Sequence, residues 1–152
     1  MASRAVEDAI EAYLNSNWTH LSECPVFVEN KDSSTPDDGT PFLVLQFPLS
    51  TVRRVCVSHP LYREEGSFRI VINVERGEGT DKIRQYGEEL ADLFRDRQVG
   101  PASCRVPTEP FTDDQSDQGN YYIGSLIVPY DTSFTRIQST LTAESGAYLV
   151  TE

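Results

Sequence analysis

GSFRIVINVERGEGTDKIRQYGEELADLFRDR, residues 66–97, is the stretch whose reading decides the fold. Phe68, Ile70, Ile72 and Val74 alternate with Arg69, Val71, Asn73 and Glu75. A period of two gives a strand one apolar face and one mostly wet face. Gly77-Glu78-Gly79-Thr80 follows as a turn. Ile83, Tyr86, Leu90, Leu93 and Phe94 then recur at spacings of three and four, which draws an apolar stripe along a helix over about Thr80–Gln98. Each apolar face leaves water only by packing on the other. A helix laid on a sheet is therefore the nucleus.

Upstream, Ser3 is placed to cap a first helix running to about Ser16, with Val6, Ala9, Ile10, Tyr13 and Leu14 on one face. That face either packs on the sheet or binds a partner. Pro25–Glu29 reads as a short strand, and Asn30–Thr40 as a polar loop without an apolar anchor. Pro41–Phe47 is nearly all apolar and reads as a central strand buried on both faces, ended by Pro48. Thr51–Arg76 reads as a β-hairpin or arm reaching beyond the body.

Downstream, Gly100-Pro101 is expected to stop the second helix, and Ser103–Val106 to form a short strand. A polar loop at Thr108–Gly119 leads to a long strand at Asn120–Tyr130, with a bulge at Gly124 and an end at Pro129. The fold class is α+β. A mainly antiparallel or mixed sheet carries two amphipathic helices on one face, with a long hairpin arm. Residues 1–130 form one domain, and residues 131–152 a C-terminal arm that orders on a neighbour.

A chain of 152 residues can bury a core without staples. Its 13 basic and 24 acidic residues give a net charge of −11, which disfavours sequence-specific nucleic-acid binding. No apolar run is long enough to span a membrane. Cys24, Cys56 and Cys104 are an odd count without a CxxC pair, which suits three reduced thiols in a cytosolic setting.

Recognisable chemistry is sparse. The glycine turn lacks the Lys-Ser/Thr of a phosphate loop and the spacing of a dinucleotide turn. His20 and His59 have no partner at zinc-ligand spacing. Asp113, Asp114 and Asp117 do not follow a calcium loop. The reading assigns no catalytic residue, metal or cofactor, and treats the chain as no enzyme.

Charge is where the pattern departs from an ordinary surface. Arg53, Arg54, Arg63 and Arg69, with His59 beside them, concentrate positive charge on the hairpin. They are either solvated strand edges or a contact for an acidic face of another subunit. Glu88, Asp92 and Asp96, with Glu89 alongside, line the second helix as a solvated face, an interface or a lumen.

Taken together, Tyr62-Arg63-Glu64-Glu65-Gly66-Ser67-Phe68, Val74–Thr80, Ala91-Asp92-Leu93-Phe94 and Val128-Pro129-Tyr130 resemble the tail terminator-like family of long-tailed bacteriophages and related prophage particles. The resemblance covers roughly Met1–Tyr130. It implies a virion structural protein, assembled in the host cytoplasm, that forms a homohexameric ring at the head–tail junction. Such a ring caps the tail tube, stops its polymerisation, meets the connector or stopper protein of the head, and lets DNA pass. The alternatives are another neck or head-completion protein, or a small cytosolic ligand-binding module or enzyme.

Overall fold

The computed structural model describes residues 2–28, 40–75, 81–112 and 121–135. The expected glycine turn at 77–80, most of the two polar loops and residues 136–152 lie outside them. Chain order is α1 (Arg4–Asn17), β1 (Val26–Val28), β2 (Phe42–Arg54), β3 (Leu61–Glu75), α2 (Asp81–Phe94), β4 (Gln98–Val99), β5 (Ala102–Cys104), β6 (Phe111–Thr112) and β7 (Tyr121–Thr135). The sheet runs β1-β2-β3-β7-β5-β4, with β6 also on β7. β1 is parallel to β2 and every other pair is antiparallel, so the fold is α+β on a mixed sheet.

β3 and β7 are each 15 residues long and pair over their whole length without a shift. Their register places Phe68 opposite Val128 and Ile70 opposite Leu126. With Leu43, Leu45 and Phe47 of β2, these residues form one continuous apolar face. α1 brings Val6, Ile10 and Leu14 to it, and α2 brings Ile83, Tyr86, Leu90, Ala91 and Phe94. All belong to a single buried cluster, so both helices cover the same face.

Phe94 is the junction of the three layers. Its ring sits 5.0 Å from Phe68 on the sheet and 5.4 Å from Tyr13 on α1. The Tyr13 hydroxyl donates to the Leu93 carbonyl at 2.8 Å, which fixes one helix to the other.

Several boundaries differ from expectation, each for a physical reason. Pro48 does not end its strand: β2 runs on to Arg54 through a register shift between Gln46 and Leu49. A bulge is a place where a missing N–H costs little. The shift also changes which residues face inward, so Arg54 shares a face with Glu64 and Arg53 with Arg63. β2 lies next to the edge strand β1, and Val44 and Gln46 on its outer side are half-buried. Gly124 makes no bulge. A Cβ there would overlap Ile83, so the glycine lets α2 lie close on β7.

Pro129 does not end β7 either. Its carbonyl accepts from the Arg105 N–H at 2.8 Å, so its absent N–H would face β5 and the β3 ladder loses nothing. α2 stops at Phe94, with Asp96 at φ 51°. Asp96, Arg95 and Arg97 therefore lie past the helix. Gly100-Pro101 instead forms the two-residue turn between β4 and β5, with Gly100 at φ 55° and proline following, as a type II′ hairpin asks. β7 continues through residue 131 to Thr135, so the expected start of the C-terminal arm falls within the strand.

Replacing Phe94 with alanine should cost about 3–5 kcal/mol, because a fully buried aromatic is lost and the three layers cannot collapse onto the gap. Denaturant unfolding of the variant measures this. A loss below about 1 kcal/mol would show that Phe94 does not join the layers.

Candidate assembly surface

Beyond Glu65, where β5 leaves β7, the sheet continues as a three-stranded ribbon of β2, β3 and β7. On the face without helices, charge replaces apolar packing. Asp131 accepts from Arg63 Nη2 at 2.9 Å and from Arg105 Nε and Nη2 at 2.9 and 2.6 Å. Its side chain is only 15% exposed, so one carboxylate holds two guanidinium groups across β3, β7 and the chain after β5. Glu65 lies 3.5 Å from Arg53 Nε and 3.4 Å from Arg63 Nε, and so separates two arginines that stand directly opposite in the ladder. Arg69 is farther down β3 and donates to Ser125 Oγ at 2.9 and 3.1 Å.

The other hairpin residues stand apart from that network. Arg54 donates from Nε to the Cys56 carbonyl at 2.8 Å and from Nη2 to Val57 at 3.4 Å, closing the hairpin end. His59 Nδ1 sits 3.2 Å from Ser58 Oγ. The positive cluster expected on the hairpin is thus three groupings. Arg53 and Arg63 belong to the salt-bridged ladder, Arg54 and His59 to the turn, and Arg69 to the strand interior.

On the helix face the ribbon base is fastened by a buried acid. Glu64 is 1% exposed, and its Oε2 accepts from the Tyr130 hydroxyl at 2.7 Å and from the Ser3 N–H at 3.1 Å. The start of α1 is therefore tied to β3 and β7. Ser3 precedes the helix without a side-chain cap bond, and Glu64 takes up its N–H instead. Burial and the bond to Glu64 push the Tyr130 phenol well above its ordinary range.

The expected acidic face of α2 is only partly a free face. Glu89 lies 3.0 Å from His20 Nε2, and that imidazole packs 5.1 Å from both Trp18 and Tyr86. His20 is therefore structural. Asp92 pairs with Arg95 at 2.5 Å, while Glu88 and Asp96 are exposed.

Apolar groups also reach solvent on the ribbon. Leu49 is 64% exposed, Val52 53%, and Val57 at the hairpin end 97%. Between α1 and the end of β7 lies a groove of about 530 Å³, lined by Ala5, Val6, Asp8, Pro101, Thr132 and Phe134. Among the described residues no group of His, Cys, Asp and Glu is placed to hold a metal, and no helix is long and apolar enough to cross a membrane.

The three thiols divide by environment. Burial pushes Cys24 and Cys104 up to about 12. A hydrogen bond from Ser58, then backbone N–H groups, lowers Cys56 at the hairpin turn. Burial likewise pushes Tyr86 up to about 12. For groups raised on folding, the unfolded chain loses its protons first as pH rises. Their stabilising contribution is whole below about pH 9 and declines between about pH 9 and 12. A titration with a disulfide reagent at neutral pH should find Cys56 reactive, and Cys24 and Cys104 protected until the chain unfolds. Immediate reaction of all three would contradict these environments.

A family model described as phage tail terminator protein matches residues 5–130. No curated protein matches the chain. A solved structure is similar in fold at 21% identity and a TM-score of 0.50, covering 86% of this chain and 98% of the other. The family match spans α1 through Tyr130, the helices, the strands and the Glu64–Tyr130 clamp alike, and the chain belongs to the phage tail terminator family.

Proposed function

We propose that copies of this chain close head to tail into a homohexameric ring that caps the tail tube, ends its polymerisation and joins the tail to the head. The observation that carries this reading is membership of the phage tail terminator family over residues 5–130. A ring needs a heterologous contact, in which one patch on each copy meets a different patch on the next. The ribbon end, with Arg53 66% exposed, is one candidate half. The carboxylates Glu88 and Asp92 on α2 are the other. The partners are further copies of the chain, the tail tube protein below and the connector or stopper protein above. The net charge of −11 suits a conduit past which DNA slides without sticking.

Tubes assembled without the chain should overrun their normal length, and purified protein should restore a uniform length in electron micrographs. Tubes of unchanged length in both cases would remove the capping role. Reversing Arg53 and Arg54 to glutamate should abolish ring assembly, read by sedimentation, while circular dichroism stays that of the folded chain. Unchanged assembly would discard the arginines' role and leave the capping role standing.

A further inference from the structure

Among the described residues, the ribbon of β2, β3 and β7 ends in two backbone edges that no strand pairs. The Val55 N–H donates to the Leu61 carbonyl at 2.9 Å, so Val55 points its backbone groups at β3. Alternation along an antiparallel pair then turns Arg53 toward β3, and Arg54 and Val52 away from it. β1 pairs with β2 only as far as Leu45, so among the described residues no strand lies beside Val52 and Arg54. On the far side of the ribbon, Arg105 and Ser103 meet Pro129 and Asp131. The same alternation turns Ser133 and Thr135 outward, and among the described residues no strand pairs with them.

We infer that the β2 edge of one copy, at Val52 and Arg54, pairs with the β7 edge of the next, at Ser133 and Thr135, so that the ribbons join into one continuous sheet around the ring. This rests on the ring reading above and gives the ribbon end the next copy's β7 edge as its second half in place of the α2 carboxylates, which are left to the lumen. Both edges occur on the same chain at opposite sides of the ribbon, as a head-to-tail interface requires. β2 and β7 each run toward the hairpin end, antiparallel to β3 between them, so the new pair is parallel.

Side chains agree with the backbone. Val52 and Arg54 stand opposite Glu64 and Tyr62, on the helix side of the ribbon. In the joined sheet they project into the groove between α1 and β7 of the next copy. Val52, 53% exposed in one chain, meets Ala5 and Phe134 there. Arg54 brings its charge to Asp8, whose side chain is 70% exposed and lies 3.9 Å from the 95% exposed Arg4 in the single chain, a loose pair that Arg54 joins or replaces. Closure also removes two edges that would otherwise invite indiscriminate pairing.

The test uses two full-length variants. In Val52→Pro and Ser133→Pro the lost N–H points outward, where an edge strand tolerates proline. Thermal unfolding checks that both fold. Each variant alone should lose the assembled species in sedimentation, with and without tail tubes. Mixed in equal amounts they should give a one-to-one pair and nothing larger, because each keeps the edge that the other lacks. Variants that assemble like wild type, or a mixture that stays monomeric, would overturn the edge pairing and leave the ring reading intact. A wild-type chain that forms no closed assembly even on tubes would overturn both. Val52→Asp leaves the backbone intact and sets a carboxylate against the apolar side chains of Ala5 and Phe134. It should also lose assembly, and unchanged assembly there would overturn the pairing even if a proline variant misfolded.

Discussion

The unbroken ladder between β3 and β7 is the constraint on which the rest of the molecule depends. Paired in one register from Leu61 to Glu75, the two strands give the helices an even apolar floor of Phe68, Ile70, Ile72, Val74, Leu126 and Val128. A slip of one residue would turn the side chains of one strand to the face opposite its partner's and break that floor. The register is held from above by Phe94, which touches the floor through Phe68 and the other helix through Tyr13. It is also held by close packing of Ile83 over Gly124, where any side chain on the strand would force the helix away.

The helices cover only part of that ladder, and toward the hairpin end polar chemistry takes over. Glu64 replaces an apolar residue on the inner face and is matched by two donors, the Tyr130 hydroxyl and the Ser3 N–H. On the outer face Asp131 gathers Arg63 and Arg105. Buried acids are costly unless their acceptors are used, and here they are. Removing Glu64 would leave both donors without their acceptor, which costs more than the bonds contribute. The ribbon is therefore stiffened where it leaves the core.

Much of this was legible from residue order. The alternation at Phe68–Val74 and the stripe at Ile83–Phe94 placed the central strand and the second helix on their correct faces. The turn between β2 and β3 was legible from the alternation at Thr51–Val57 and the break at Ser58-His59-Pro60. Prolines and glycines misled, because their effect depends on what lies beside them. Pro48 sits in a bulge, Pro129 faces the side where the ladder to β3 is not needed, and Gly124 answers to a helix far away in sequence. Asp131 and Arg105 were missed because only the register brings them to Arg63. Glu64 carried a signal: counting back by twos from Phe68 puts it on the inner face. The exposed valines of the ribbon carried no signal, because a period of two does not say which face stays in water and only the fold leaves Val52 and Val57 there.

The functional picture follows from an asymmetry in that ribbon. Its middle strand is satisfied on both sides, while β2 and β7 each keep outward backbone groups on the stretch nearest the hairpin end. On the proposed reading those groups are completed by neighbouring copies in the ring at the head–tail junction. Residue-resolved amide hydrogen exchange, on the free chain and on the chain in assembled particles, tests this most directly. Val52, Arg54, Ser133 and Thr135 should exchange fast in the free chain and become protected on assembly, while Arg53 is protected in both. Fast exchange at Val52 and Ser133 in the assembled particle would contradict it.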